Sequence, residues 1–165
     1  GITVVYVTHD QSEALSMSDT IVLMNAGQVE QVGAPTDLYR APATVFSAGF
    51  IGTPPMNLLS VADVSLITKL ALNIDQSDIL IGVRPENMRF NPGSSDNLVT
   101  CNIKSIEYEG SVSLVHLVSV SGTKFILSHQ GDYMPSKQSE IVVGWPQKAT
   151  HFFSKRTGMR ISTNS

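Results

Sequence analysis

The chain has 165 residues with 11 basic and 14 acidic side chains, a formal net charge of −3, and this length allows one domain or one domain with part of another. A hydrophobic content of 42% and a charged content of 15% predict a folded protein and exclude a disordered chain. The acidic balance excludes the broad basic surface that unaided nucleic-acid binding needs, and a lone cysteine, Cys101, excludes an internal disulfide framework.

The charge is divided unevenly along the chain. Residues 1–50 carry one basic side chain, Arg40, against five acids, a net charge of −4. Residues 51–165 carry ten basic side chains against nine acids, a net charge of +1. This split indicates two segments of different origin. No run approaches the roughly 18 apolar residues of a membrane-spanning helix, so we expect any work at a membrane to pass through a partner.

The chain begins with a run of β-branched and aromatic residues, ITVVYV at positions 2–7. Such a run predicts a strand buried on both faces, as in a parallel sheet. Because a parallel strand needs parallel neighbours and nothing precedes this one, we interpret the sequence as a piece of a longer chain. His9 follows at the carboxyl end of the strand, which is the edge of an open α/β sheet at which ligands bind.

Short helices and a hairpin are predicted next. A first helix, capped by Thr8 or Asp10, is expected to turn Ala14, Leu15 and Met17 inward. The residues that follow include Asn and Gly, which tolerate the positive φ of a tight turn, and a proline that suits the first turn of a helix. The predicted elements are strands at 20–24 and 29–32, joined by a turn at 25–28, and helices at 35–40 and 43–50.

The pattern changes after the proline-containing segment 51–55. Proline fixes φ and donates no backbone hydrogen bond, so this segment predicts a linker. Short β-rich runs separated mostly by Gly, Pro, Asn or Asp follow, a spacing typical of a small all-β barrel or sandwich. The candidate strands are 58–64, 66–73, 79–84, 99–108, 112–120, 123–128 and 140–144.

Three residues of the β-rich part are predicted to be structural. His116 lies among apolar residues on one face of the run 112–120, so this face is expected to pack into the core with His116 as a hydrogen-bonded core residue. Cys101 is expected to be a small buried apolar residue, since the histidines and this cysteine lack the spacing of a zinc site. Trp145 fits an interface anchor or a core position, and we favour the core.

Several segments together resemble ATP-binding cassette (ABC) ATPases. YVTHDQSEA at 6–14 resembles the H-loop, and residues 19–33 resemble the hairpin that follows it in importers. PTDLYRAP at 35–42 and FIGTPPMNLL at 50–59 are similar to the exit from the nucleotide-binding domain of carbohydrate and glycerol-phosphate importers. GVRPEN at 82–87 resembles the signature of their C-terminal regulatory domain, an OB-type (TOBE) barrel.

The resemblance implies a fold class and a division of the chain. The fold is expected to be the α/β end of an ABC nucleotide-binding domain followed by an all-β OB-type barrel. The end of the ATPase domain would span 1–52, a linker 53–57 and the regulatory domain 58–165. Arg84 and Glu86, which flank Pro85 in the regulatory signature, would make structural or inter-subunit contacts or an ion pair within the domain.

The resemblance also implies a role for His9. In this family the switch histidine contacts the γ-phosphate of ATP and helps to orient the attacking water, so His9 is the catalytic and ATP-contacting residue expected in the intact protein. Asp10 is expected to cap the helix, and residues 11–13 are expected to form a solvated helical face. No metal ligand is predicted in the chain.

The chain lacks the other parts of an ATPase site. It contains no Gly-x-x-x-x-Gly-Lys-Ser/Thr phosphate loop, because the nearest fragment, at 121–124, has Leu117 at the first glycine position and Phe125 at the hydroxyl position. The signature motif and the Walker B carboxylates are also absent from the sequence. Without these groups phosphoryl transfer loses its positioning and charge neutralisation, so the fragment alone is expected not to hydrolyse ATP.

The family resemblance implies a cellular setting for the intact protein. It would use ATP and Mg²⁺ as the ATP-hydrolysing subunit of a bacterial importer and couple hydrolysis to uptake of a carbohydrate or a glycerol phosphate. The expected partners are a second copy or an equivalent ATPase subunit, transmembrane permease subunits and regulatory proteins. The subunit would be cytoplasmic and held at the inner face of the plasma membrane by the permease.

Two other functions remain open at this point. A stand-alone regulatory and dimerisation module accounts for the barrel without catalysis. An OB-type barrel can also serve as a sensor of a small ligand, such as an oxyanion or a sugar metabolite. Nucleic acid is not an expected partner, because residues 51–165 are nearly neutral and show no basic stripe interleaved with aromatic side chains.

Overall fold

The computed structural model describes residues 1–65, 75–131, 135 and 140–162. Within them, three short helices precede a part of the chain built almost wholly from strands, as the predicted fold class requires. The predicted strand 66–73 lies outside the described residues. The helices are α1 Gln11–Met17, α2 Pro35–Arg40 and α3 Val45–Phe50, and the strands are β1 Ile21–Asn25, β2 Gln28–Gly33, β3 Asn57–Ser60, β4 Val64–Ser65, β5 Ile79–Val83, β6 Asp96–Glu109, β7 Val112–Ser119, β8 Lys124–His129, β9 Glu140–Pro146 and β10 His151–Ser154.

Residues 2–7 do not form the predicted buried strand. They pair with no strand of the described part of the chain, and Ile2, Val5 and Val7 are each about nine-tenths exposed, at 92%, 89% and 89%. These residues have the apolar character of a buried strand. A parallel strand, however, is held by hydrogen bonds to neighbouring strands, and the described residues supply no such neighbour. The prediction of a strand at this position is therefore wrong for this structure.

The helices and the hairpin surround a small apolar cluster. The β1–β2 hairpin turns through Ala26 and Gly27, whose φ angles of 47° and 80° are those of a two-residue turn with the twist that antiparallel strands favour. Leu15 packs against the cluster as predicted, whereas Met17 is 74% exposed, which corrects its predicted inward position. The buried members of the cluster are Ile21, Leu23, Leu38 and Ile51.

Two antiparallel sheets form the β-rich part. The first has the strand order β10–β5–β3, and the second has the order β4–β6–β7–β8 with β9 also paired to β6. The long strand β6 pairs with β9 from Asp96 to Asn102 and with β7 from Cys101 to Glu109. The core between the sheets is apolar, and its buried members are Leu59, Val64, Ile81, Val83, Met88, Phe90, Val99, Cys101, Ile103, Val115, Leu117, Phe125, Leu127, Val143 and Trp145.

A side chain joins the two sheets where β3 approaches β8. Asn57, the first residue of β3, accepts a 2.9 Å hydrogen bond from the Ile126 amide and donates a 2.7 Å bond to the Ile126 carbonyl. Its amide group therefore occupies the place that a residue of a paired strand would take. This contact links the sheets without a continuous backbone ladder.

The core-facing side of β7 is the opposite of the one predicted. Val115 and Leu117 lie in the core, whereas His116 is on the outer side with its Nε2 atom 3.1 Å from Glu107 Oε1. The face that was predicted to be buried contains more apolar residues than the face that is buried. The buried face ends in Ser119, whose hydroxyl is satisfied because it donates to Asp63 at 2.7 Å. His116 is therefore not the core residue that was predicted.

Cys101 and Trp145 are both buried, as predicted. Cys101 is fully buried, and this burial raises the pKa of its thiol to about 12, which leaves it unreactive at neutral pH. Trp145 is also fully buried, and its indole N–H donates to Thr150 Oγ1 at 3.0 Å. An indole inside the core cannot anchor a partner, so the core alternative for Trp145 is confirmed.

His151 gives the stability of the chain a pH dependence. It pairs with Gly82 in the β10–β5 ladder, and burial, reinforced by the charges of Arg160 and Arg84, lowers its pKa from 6.5 to about 4. The unfolded chain therefore takes up a proton at a higher pH than the folded chain, and acid favours unfolding.

We expect the free energy of unfolding to fall as the pH drops from 6.5 to about 4, and His151→Gln should flatten this part of the profile because glutamine does not titrate. Urea unfolding at several pH values, followed by circular dichroism, measures both profiles. Identical slopes for the two proteins would contradict the assignment to His151.

Candidate functional site

His9 lies directly before the first turn of α1 and is exposed to solvent. No described residue forms a hydrogen bond to its imidazole. The ring is therefore free to meet a ligand that approaches the N-terminal end of the helix. The hydrogen bonds around His9 hold the backbone of the turn but do not contact the imidazole ring.

The turn that carries His9 is held by an N-cap. Asp10 Oδ1 accepts hydrogen bonds from the amides of Ser12 at 2.7 Å and Glu13 at 3.2 Å, and the Asp10 amide donates to Thr8 Oγ1 at 3.0 Å. These bonds satisfy amides that the first turn of a helix leaves unpaired. The predicted capping role of Asp10 is confirmed, and the residues on both sides of His9 are fixed by it.

Glu13 ties the same turn to the extended segment before it. Its Oε2 atom accepts from Thr8 Oγ1 at 2.6 Å and from the Tyr6 hydroxyl at 3.2 Å. The hydrogen bond to Glu13, together with its negative charge, raises the pKa of Tyr6. The prediction of a plain solvated face at 11–13 is thus wrong for Glu13, whose carboxylate stabilises the segment that precedes His9.

Gln11, the first residue of α1, makes a contact that the sequence did not reveal. Its Oε1 atom accepts a 2.9 Å hydrogen bond from the amide of Gly52, which is 41 positions further along the chain. The prediction of a solvated face is therefore wrong here as well. No local signal marks such a contact, because it depends on how the hairpin and α2 return the chain to α1.

Arg84 holds the other side of the same peptide group. Its Nη1 atom donates to the Ile51 carbonyl, its Nη2 atom donates to the Tyr39 carbonyl at 2.8 Å, and its guanidinium carbon lies 4.1 Å from the centre of the Tyr39 ring. Arg84 is only 2% exposed, and this burial lowers its pKa. Its planar fork suits two carbonyl acceptors and a ring face at once.

Glu86 completes this contact without pairing directly with Arg84. Its Oε1 atom accepts from the Tyr39 hydroxyl at 2.5 Å. Burial and this hydrogen bond raise the pKa of Tyr39 to about 12, so the hydroxyl stays a donor at neutral pH. Arg84 and Glu86 therefore make structural contacts within the chain, one of the alternatives left open by the sequence, rather than an ion pair with each other.

A second set of contacts joins α3 to the end of the β-rich part. The Val45 amide donates to the Gly158 carbonyl at 2.8 Å, and the Arg160 amide donates to the Ala43 carbonyl at 2.8 Å. Ala48 and Phe153 pack beside these bonds in a shared buried cluster. The helical segment is therefore fixed to the β-rich part at two places, through Arg84 and through α3.

A separate polar cluster lies at the carboxyl end of β7. Asp63 accepts from the hydroxyls of Ser119, Ser121 and Thr123 at 2.7, 2.5 and 2.9 Å. Burial acts to raise the pKa of Asp63, but these hydrogen bonds outweigh it and lower the pKa. The Asp63 carboxylate thus has its hydrogen-bond partners within the cluster. A cavity of about 350 Å³ adjoins it and is lined by Ala62, Asp63, Ser65, Thr100, Val120 and Ser121.

The described residues contain no group of three or more His, Cys, Asp or Glu side chains placed to hold a metal ion. Nor does any helix among them have the length and apolar character needed to cross a membrane. The geometry around His9 thus consists of one exposed imidazole on a fixed turn.

Comparison with known proteins places these features in a family. Residues 81–153 match the TOBE domain. A trehalose/maltose import ATP-binding protein of Thermococcus litoralis is 37% identical over 98% of this chain and 49% of its own length. An sn-glycerol-3-phosphate import ATP-binding protein of Rhizobium etli is 37% identical over 96% of this chain and 45% of its own length, and one of Rhodopseudomonas palustris is 36% identical over 97% and 48%.

The chain therefore contains a TOBE domain, and nearly its whole length is similar to part of these import ATP-binding proteins. The TOBE match begins within β5 and ends within β10, so it includes Arg84 and Trp145. His9, Gln11 and Gly52 lie before it, in the part that matches these relatives beyond the TOBE domain. The chain spans about half the length of these relatives.

Proposed function

We propose that this chain is part of the ATP-hydrolysing subunit of an ABC importer that takes up a carbohydrate or a glycerol phosphate. The observation that carries the proposal is the exposed His9 on a capped turn, within a chain of which 96–98% aligns with import ATP-binding proteins. The names of these relatives, trehalose/maltose and sn-glycerol-3-phosphate import proteins, support the two substrate classes.

In this proposal His9 contacts the γ-phosphate of ATP. Its ring has no partner among the described residues, and the turn around it is fixed by Asp10 and Glu13. An imidazole held in this way can donate a hydrogen bond to a phosphate oxygen and orient a water molecule for attack. When bound, ATP would supply the reacting phosphate and Mg²⁺ would neutralise its charge.

The chain by itself fits only one contact of such a site. It has no phosphate loop, and its described residues contain no group of three or more His, Cys, Asp or Glu side chains placed to hold a metal ion. We therefore propose that the intact subunit contributes these groups from the rest of its sequence. Its partners would be a second ATPase subunit and transmembrane permease subunits, which would hold it at the inner face of the plasma membrane.

Phosphate release by two purified proteins tests the proposal. The intact subunit, assembled with its permease, is expected to hydrolyse ATP, and residues 1–165 alone are expected to show no turnover above a no-protein control. Adding maltose, trehalose or glycerol 3-phosphate with the matching binding protein identifies the substrate as the compound that raises turnover. Failure of the intact assembly to hydrolyse ATP under any of these conditions would refute the proposed function.

A further inference from the structure

The peptide group between Ile51 and Gly52 is gripped on both sides. Its carbonyl accepts from Arg84 Nη1, and its N–H donates to Gln11 Oε1 at 2.9 Å. Hydrogen bonds on the two ends of one amide polarise it and strengthen each other. The three groups therefore form one continuous unit that runs from the TOBE domain to the first residue of α1.

The unit ends two positions from His9. Gln11 begins α1, and the N-cap Asp10 lies between Gln11 and His9. The cap fixes the backbone of this turn. The position of Gln11 therefore sets the direction in which the side chain of His9 points. A side chain of the TOBE domain and the imidazole of His9 are thus separated by two hydrogen bonds and one capped turn.

We propose that Arg84 is a positioning residue for His9, acting through the Ile51–Gly52 peptide and Gln11. The proposal rests on the function proposed above for His9. Arg84 touches no reacting atom, and its role is to hold the turn so that the imidazole points to where the γ-phosphate lies. The TOBE domain would then contribute to hydrolysis directly, in addition to any regulatory or dimerisation role.

The chemistry of the contact explains why an arginine stands there. Two nitrogens of one planar group donate to carbonyls of two segments, at Tyr39 and Ile51, while the flat cation lies over the Tyr39 ring. A lysine has one nitrogen and cannot make this arrangement. Gln11 is less demanding, since it needs only an oxygen acceptor, so Gln11→Glu is expected to keep the contact.

Steady-state ATP hydrolysis by the intact assembly tests the proposal. Gln11→Ala and Arg84→Met should each lower kcat about tenfold, with the KM for ATP within about twofold of wild type, because misplacing a catalytic group weakens the transition state more than binding. The double variant should also lose about tenfold, since both changes break one unit, whereas independent effects would multiply to about a hundredfold. Gln11→Glu should restore kcat to within about threefold of wild type.

Gln31→Ala is the matched control. The Gln31 side chain also ties two segments together, since its amide donates to the Ala41 carbonyl at 3.1 Å and accepts from the Ala43 amide at 2.8 Å, but it does not touch the Ile51–Gly52 peptide. Its kcat should stay close to that of wild type. An equal loss in Gln31→Ala, or a double variant of Arg84 and Gln11 that loses the full product, would overturn the proposal.

A second measurement separates this proposal from the proposed function. In the 165-residue chain, amide NMR signals of His9 and Gly52 should shift in Arg84→Met and Gln11→Ala and stay unchanged in Gln31→Ala. If the intact assembly fails to hydrolyse ATP, the proposed function falls and these signals alone decide whether Arg84 positions His9. A His9 signal that is the same in wild type and Arg84→Met overturns the positioning role.

Discussion

Replacing His9 by alanine in the intact subunit should lower ATP turnover about a hundredfold or more, while the affinity for ATP changes by less than about threefold. Most of the binding energy for ATP would come from groups other than one imidazole, whereas the proposed contact of His9 with the γ-phosphate would matter most as charge develops during transfer. Turnover from phosphate release and affinity from a fluorescent ATP analogue measure the two quantities separately.

His116→Ala is the control for this experiment. His116 lies on the outer side of β7, with its Nε2 atom 3.1 Å from Glu107 Oε1. Removing it should leave turnover within about twofold of wild type, because a contact between partly exposed side chains contributes little. Unchanged turnover in His9→Ala would remove the assignment of His9 as the switch residue.

Two glycines three positions apart should respond in opposite directions to the same substitution. Gly52 has a φ of 108°, and an added Cβ would lie 2.7 Å from Arg84 Nη1 and 3.1 Å from Tyr39 Cε2. The guanidinium cannot simply move aside because it is buried and bonded to two carbonyls. Gly52→Ala should therefore lower the free energy of unfolding by about 2–4 kcal/mol, through backbone strain and loss of the Arg84 contacts.

Gly49 provides the matched comparison for Gly52. It is exposed within α3, and an added Cβ would meet no atom within 4 Å. Alanine restricts the unfolded chain and favours a helix, so Gly49→Ala should raise the free energy of unfolding by about 0.5–1 kcal/mol. Urea unfolding of both variants measures the difference. Equal effects at the two positions would show that the Arg84 contact does not constrain Gly52.

The elements that the sequence predicted well depend on near neighbours. The β1–β2 hairpin follows from turn residues that accept positive φ, and the start of α2 follows from Pro35. Most strands of the β-rich part follow from short apolar runs between turn signals, but β10 was not predicted, and a 3-10 helix at Val61–Asp63 divides the predicted strand 58–64. Errors occurred where a distant partner decides the outcome: residues 2–7 have the composition of a strand but no partner strand among the described residues, and β7 turns its less apolar face inward.

The candidate site shows the same division. The cap at Asp10 could be predicted, because its hydrogen bonds lie within four residues, and the role of His9 stays a prediction. The contacts of Arg84 with Tyr39 and Ile51 span 45 and 33 positions, and nothing in the local sequence indicates them. Every residue has a backbone carbonyl, so the sequence cannot indicate which carbonyls a buried arginine binds. An ion pair of Arg84 was therefore an equally reasonable prediction.

The hydrogen bonds between Asn57 and Ile126 have a consequence for how copies of this protein behave toward one another. In its sheet, β8 is a terminal strand, and unpaired amides and carbonyls along such a strand can recruit a strand from another molecule. The Asn57 amide occupies both backbone groups of Ile126 and blocks this pairing near the middle of β8. Loss of the Asn57 side chain is therefore expected to leave both backbone groups of Ile126 unpaired at this edge, where a strand of another molecule could bind them.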